Sequence, residues 1–503
     1  MTSTSPTVAP HHADAPQSDQ FDRQHRYIGK RWLAAAAAVL VTAGAAVAVQ
    51  LPADGHEATA PGYGQDDLRR DTDAIRALGV TGVQARVTTG PGRDLLATSG
   101  VAEVGTNRPV PRSGYFRIAS TSKALVATVV LQLVDEGSLA LDDKVERWLP
   151  GLADSNGNDG RRITIRQLLQ HTSGIHDDDL PGYTSPQEYY ERRYDTYAPQ
   201  QMVALAMRHR PDFPPGTGWS YSNTGYVLLD MIIEKVTDRP WHQEVENRVL
   251  KPLAMDHTYL PGRTPTLRSP HANGYQVFPS GERVDVTDVI LPDPGGLVST
   301  TADVNRFFRA LLGGELLPQA RLAEMQDTVP VNKEVQVFWP HGRYGLGLVN
   351  RPLSCGGSYW SHEGGNGGYI TLNGATDDGS RTVTVSMSTA LHDSPDNALR
   401  QEQAASNLVD HALCDTPGNG RHRQGAFPDI QAWPTVDGVI GEWNEGRSPA
   451  RSATAPAPRP LQRPAPEARP VHLPPEPPAR AELLPALPIR LAPCQQAQPR
   501  HPL

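Results

Sequence analysis

Apolar and polar residues fall into a folding pattern only from Asp66 onward. There DDLRRDTDAIRALG carries apolar residues at helical spacing, and VQARVTT and LLATSGVAEV follow with a strand period of two, divided by a Gly90-Pro91-Gly92 turn. Lys123 to Glu136 is apolar nearly all round (ALVATVVLQLV), which predicts a helix buried on every side and stopped by Gly137. Helices and loops continue to about Met325. Strand patterns return as YWSHEGG, GGYITLNG and RTVTVSMST, the last two joined through the hairpin residues Asp377-Asp378-Gly379-Ser380, and the helix QEQAASNLVDHALC closes the pattern. Strands at both ends with helices between predict an α/β chain of the α+β kind. One antiparallel sheet would unite the ends, flanked by helices, with a helical subdomain beside it and a cleft between the two.

Composition limits how much of the chain folds. Only 38% of the 503 residues are apolar, and 15 of the 47 prolines fall in the last 53 residues. Residues 416–503 therefore read as a disordered Pro-rich tail, which has too little apolar surface to offset chain entropy. Residues 1–31 are a polar N-terminal segment, and 50–65 form a linker. Between them, residues 32–49 are apolar, follow the basic run RQHRYIGKR and end in small residues around Ala48. That is the pattern of a signal peptide cleaved after Ala48, or of a membrane anchor. Either one puts the domain at 66–415 outside the cytoplasm, secreted or anchored by this segment.

A net charge of −8 argues against general nucleic-acid binding, and only the N-terminal segment suggests contact with a membrane. Three cysteines fit an oxidising compartment. Cys355 and Cys414 are candidates for a disulfide, with Cys494 in the tail, and the number is too small for a four-thiolate zinc site.

The chemistry-bearing residues begin with FRIASTSK, residues 116–123. Ser120 and Lys123 stand three apart at a helix start, so the amine comes within reach of the hydroxyl. A charge entering an apolar helix is costly unless it is paired or working, and burial of an amine favours the neutral form that can accept a hydroxyl proton. Tyr221-Ser222-Asn223 adds a phenol able to relay protons and an amide able both to donate and to accept. His362-Glu363-Gly364-Gly365 lies on a predicted strand, where the glycines let a substrate backbone approach and His362 could supply positive charge or a hydrogen bond. His171-Thr172-Ser173 reads as a polar corner closing a helix, and Asp177-Asp178-Asp179 as a solvated loop rather than a metal cluster. No cofactor or metal is required by this set.

FRIASTSK, LLQHTSGI (168–175), PGTGWSYSNTGYVLL (215–229), GGLVSTTADVNRF (295–307) and SHEGGNGGY (361–369) together resemble the serine penicillin-recognising enzymes, closest to the D-alanyl-D-alanine carboxypeptidase and class C β-lactamase group. The resemblance spans about residues 66–414 and implies a β-lactamase/transpeptidase-like fold. It implies Ser120 as nucleophile, Lys123 and Tyr221 as proton carriers, and Asn223, His362, Gly364 and Gly365 as substrate-binding residues. The backbone N–H groups of Ser120 and Gly365 would form the oxyanion hole. The expected activity is acyl-enzyme hydrolysis, foremost of cell-wall peptides ending in D-Ala-D-Ala, with β-lactams as acylating ligands. Esterase, D-amino-acid amidase and β-lactamase activities use the same machinery, and a non-catalytic penicillin-sensing or wall-binding protein is the alternative of another class. One departure stands out: near Tyr344-Gly345-Leu346-Gly347-Leu348, where relatives carry a basic grip for a terminal carboxylate, only Arg343 and Arg351 are close.

Overall fold

The computed structural model describes residues 62–90, 92–177, 183–291 and 295–415. The polar N-terminal segment, the candidate signal or anchor, nearly all of the linker and the Pro-rich tail with Cys494 lie outside the described residues. Among the described residues no helix is long and apolar enough to cross a membrane.

A nine-stranded sheet organises the described residues. Its strands in chain order are β1 (Gly82–Thr88), β2 (Asp94–Gly100), β3 (Val329–Pro330), β4 (Arg343–Tyr344), β5 (Val349–Pro352), β6 (Ser358–Ser361), β7 (Gly364–Asn366), β8 (Tyr369–Ala375) and β9 (Thr382–Met387). Across the sheet they run β2-β1-β9-β8-β6-β5-β4-β3, with β7 paired to β8 alongside, and every pairing is antiparallel. The N-terminal strand β1 thus lies against the C-terminal strand β9, with Val83 opposite Met387 and Thr88 opposite Thr382. This joins the two ends of the pattern as expected.

The alternation in RTVTVSMST decides what covers each face. Val383, Val385 and Met387 join Val83, Ala85 and Val87 in a core that includes Leu68 and Ile75 of helix α1 (Gln65–Ala77). Leu408, Val409 and Ala412 of a C-terminal helix complete it. The intervening Thr384 turns the other way and donates to Asn305 Oδ1 (2.7 Å) on a helix at Thr301–Leu312. Both faces are buried, and the period-two pattern separates an aliphatic layer from a polar one.

Helix α2 (Ser122–Asp135) is buried along nearly its whole length, as its apolar run predicts. It packs with α3 (Asn223–Thr237) in the largest core cluster, which also holds Phe307, Phe308 and Leu346. The C-terminal helix, α4 (Pro395–Cys414), starts six residues before the Gln401 expected from apolar spacing. The reason is local: Ser394 accepts from Asn397 N at 3.2 Å and Pro395 occupies the first helical position, where its missing N–H costs nothing.

Three further differences have physical causes. The stretch read as helices and loops also holds short strands at Tyr275–Val277, Arg283–Asp285 and Val298–Ser299, too brief for an alternation to show. Strands β3 to β5 extend the sheet beyond the predicted ones, for the same reason. YWSHEGG is not one strand but two, β6 and β7, broken at His362-Glu363 because Asn373 holds the His362 backbone, accepting its N–H (3.0 Å) and donating to its carbonyl (2.6 Å). Cys355 and Cys414 form a disulfide linking the β5–β6 turn to the end of α4.

Candidate active site

The nucleophile candidate sits on a strained turn. Arg117 pairs with Val298 in a two-residue strand, and the chain then enters a 3₁₀ turn, Ala119–Thr121, before α2 begins. Ala119 has φ +45°, a left-handed conformation that a β-carbon disfavours by about 1–2 kcal/mol. Ser120 and Lys123 therefore span the junction of a 3₁₀ turn and an α-helix rather than one uninterrupted helix. The tighter turn stacks positions three apart even more closely. Lys123 Nζ lies 3.2 Å from Ser120 Oγ, and Lys123 is buried while Ser120 is partly exposed.

Tyr221 and Asn223 reach the same point from the start of α3. Lys123 Nζ donates to Asn223 Oδ1 at 2.7 Å and lies 5.0 Å from the centre of the Tyr221 ring and 5.4 Å from that of Tyr226. The structure thus brings together Ser120, Lys123, Tyr221 and Asn223.

Gly364 and Gly365 close the other wall. A β-carbon on Gly364 would sit 2.0 Å from the Ile118 carbonyl oxygen and 3.1 Å from the Ser120 nitrogen, so only glycine permits this approach of β7 to the nucleophile turn. Thr121 Oγ1 donates to the His362 carbonyl (2.8 Å), tying the same two segments together. Gly365 pairs with Ile370 of β8 and is itself exposed, which leaves β7 at the rim of the crevice beside the Ser120 backbone.

His362 does not play the part expected of it. Its ring is buried, and both nitrogens are engaged away from solvent: Nδ1 with the Glu363 carbonyl (2.8 Å) and Nε2 with the Tyr344 hydroxyl (2.9 Å). Ser222 N–H donates to His171 Nδ1 (3.2 Å), so a neutral His171 carries its proton on Nε2 and donates to Tyr344 Oη (3.1 Å). Tyr344 O–H then donates to His362 Nε2, and His362 Nδ1–H donates to a carbonyl, which can only accept. Burial, reinforced by Lys123, pushes His362 down to about 3, and the same causes hold His171 well below its ordinary value. His362 is thus a neutral packing and positioning group and supplies no positive charge to a substrate. The sequence left its protonation open because its partners lie far away along the chain. His171 holds a polar corner, as expected, although its role is to start this relay.

Replacing Tyr344 with phenylalanine strands two buried nitrogens, each costing about 1–3 kcal/mol. We expect urea unfolding to register a loss of about 2–6 kcal/mol; a loss below about 0.5 kcal/mol would refute the relay.

The arginines flanking the strand have other work. Arg343 donates to Thr328 Oγ1 (2.8 Å) and to the Thr328 carbonyl (2.6 Å). Arg351 is buried and pairs with Glu363 (2.7 Å), whose other oxygen accepts from Trp339 Nε1 (2.7 Å). Glu402 adjoins this pair, and burial followed by the Glu363 charge pushes its carboxyl up. Asp177, read from sequence as part of a solvated loop, instead accepts from the backbone N–H and side-chain amide of Asn223. Only its position beyond HTSGI could have marked it. Asp178 and Asp179 lie outside the described residues.

The comparisons with known proteins agree with this geometry. The family model described as Beta-lactamase matches residues 66–408. A penicillin-binding protein of Bacillus subtilis is 29% identical over 336 residues, covering 63% of this chain and 69% of that protein. A D-stereospecific amidohydrolase from a Streptomyces species, known as a crystal structure, is 38% identical with a TM-score of 0.61, covering 68% of this chain and 98% of that one. The D-amino acid amidase of Ochrobactrum anthropi SV3, complexed with L-phenylalanine, is 26% identical with a TM-score of 0.60, covering 69% and 97%. A serine and a lysine one turn apart, joined by a Tyr-x-Asn pair and a glycine strand on this sheet, and a family match over most of the chain lead to one conclusion: the protein belongs to the beta-lactamase family, the serine penicillin-recognising enzymes, and has their β-lactamase/transpeptidase-like fold.

Proposed function

We propose that this serine hydrolase cleaves amides or esters of D-amino acids through an acyl-enzyme on Ser120, ahead of the D-Ala-D-Ala carboxypeptidase activity first expected. The observation that carries the preference is the fate of the cations around the cleft. Arg351 is buried and neutralised by Glu363, His362 is held neutral, and Arg343, though charged and exposed, spends its guanidinium on Thr328. A carboxypeptidase substrate ends in a carboxylate, and desolvating that charge without a cationic partner is costly. An amide or ester presents no such charge. Likeness to a D-stereospecific amidohydrolase and to a D-amino acid amidase supports the same reading. Likeness to a penicillin-binding protein supports the second reading, a D-Ala-D-Ala carboxypeptidase on cell-wall peptide with β-lactams as acylating ligands.

In the proposed reaction Ser120 Oγ attacks the substrate carbonyl carbon while the Lys123 amine takes the hydroxyl proton. The backbone N–H groups of Ser120 and Gly365 hold the oxyanion. Tyr221 relays that proton from Lys123 to the leaving amine or alkoxide, which departs as the acyl-enzyme forms. Water then attacks the ester, giving a proton to Lys123 and Tyr221, which return it to the departing Ser120 Oγ as the acid is released. Extracytoplasmic location, by secretion or by the N-terminal anchor, is part of the proposal, and the Cys355–Cys414 disulfide supports it.

The test compares a D-amino-acid amide, its L-enantiomer, a short-chain ester and a peptide ending in D-Ala-D-Ala. We expect kcat/KM for the D-amide to exceed that for the D-Ala-D-Ala peptide by about tenfold or more. The reverse order would favour the carboxypeptidase. Hydrolysis of none of them, with no labelling by a fluorescent penicillin, would point to a non-catalytic binding protein.

A further inference from the structure

We infer that Asp177 is a positioning residue for acylation, acting through Asn223 to keep the lone pair of Lys123 available to Ser120; this rests on the acyl-enzyme reading above. One Asp177 oxygen accepts from the backbone N–H of Asn223 and Thr224 (3.4 Å to the latter), the first two residues of α3, whose N–H groups have no partner within the helix. The other oxygen accepts from Asn223 Nδ2 at 3.1 Å.

The second contact has a chemical consequence beyond capping. A carboxylate can only accept, so the face of the Asn223 amide turned toward Asp177 must be the NH₂ group. Its oxygen must then face the opposite way, where Lys123 Nζ lies 2.7 Å off. The amine donates to that oxygen and turns its remaining positions toward Ser120 Oγ at 3.2 Å.

Were the amide flipped, its NH₂ would face Lys123 and donate into the lone pair that must receive the Ser120 proton. Asp177 forbids that flip. A carboxylate thus orients an amide, the amide orients an amine, and the amine serves the hydroxyl. The sequence gives no hint of the link, because 46 residues separate Asp177 from Asn223 and 100 separate Lys123 from Asn223.

The test uses the full-length protein and the burst of acylation by a chromogenic short-chain ester. Asp177→Asn keeps size and an oxygen for the helix N–H groups but lets the Asn223 amide turn over. We expect the acylation rate to fall about 10- to 100-fold with the dissociation constant of the non-covalent ester complex and the thermal midpoint little changed. Asp177→Glu, which keeps an acceptor-only head, should retain the rate to within about threefold. In an Asn223→Ala background, D177N should change the rate by less than about twofold, since the route through Asn223 is already cut. Should D177N fail to fold, Asp177→Ser keeps a capping oxygen without a fixed acceptor for Asn223 and carries the same comparison.

A wild-type burst that D177N leaves unchanged would overturn this inference alone, as would a full additional loss in the N223A background. No acyl group on Ser120 by mass spectrometry after reaction of the wild type with the ester or with a penicillin would overturn the acyl-enzyme reading and this inference with it.

Discussion

Changing Ser120 to alanine is expected to abolish covalent labelling by a fluorescent penicillin and to lower kcat/KM for any hydrolysed ester or amide by about 10³-fold or more. The argument is local. Ser120 carries the hydroxyl that is partly exposed and within 3.2 Å of the buried amine, whereas Ser122, two residues on, is fully buried in the first turn of α2. Without the Ser120 oxygen no acyl bond can form, and the residual rate comes only from substrate held beside the oxyanion donors. Lys123→Met should cause a loss of about 10²- to 10⁴-fold. The double variant should be scarcely worse than S120A, because nucleophile and base act as one unit. Stability should change little in S120A, since Lys123 keeps its bond to Asn223. Labelling that persists in S120A and vanishes in Ser122→Ala would place the nucleophile elsewhere and sink the proposed chemistry.

A second large effect concerns acid. Burial pushes His362 down to about 3 and His392 to about 4, and holds His171 well below its ordinary value. In the unfolded chain all three titrate near 6.5. Between about pH 5 and 6 the unfolded state therefore binds three histidine protons that the native state refuses, so stability falls as pH falls. Two buried acids work the other way. Burial pushes Glu402 and Asp303 up, so the native state keeps protons there that the unfolded chain has lost. Each histidine proton bound only by the unfolded state lowers stability by about 1.4 kcal/mol per pH unit on acidification, and the three histidines outnumber the two acids. Urea unfolding at pH 7, 6, 5.5 and 5 measures this directly. Stability that is flat or rises toward pH 5 would mean that the histidines are charged in the folded protein, and the relay through Tyr344 would have to be redrawn.

How much of this could be read in the residues depends on the range of the interaction. Helix α2 was legible because eleven consecutive positions, ALVATVVLQLV, leave no polar face. β1, β8 and β9 were legible because alternation survives over six or seven residues. Strands of two or three residues such as Arg343–Tyr344 carry no period, so the far half of the sheet escaped notice. The pairing of Ser120 with Lys123 needed only local spacing, and the 3₁₀ turn altered its geometry without separating the two. The state of His362 stayed open and the place of Asp177 was misjudged because both are set by partners far along the chain: Tyr344 and His171 for the one, Asn223 for the other. The left-handed Ala119 gave no signal, since alanine is not among the residues enriched in that conformation.

The tie between the two ends of the domain has an outcome of its own. Tyr63 N–H donates to Asp415 Oδ1 at 2.9 Å, and α1 shares a core with α4. A chain that enters at Tyr63 leaves at Asp415 within a hydrogen bond of its entry point. Such a fold can be spliced whole into a surface loop of another protein, or its ends joined by a short bridge and new ones cut at an exposed tip, without stretching any strand.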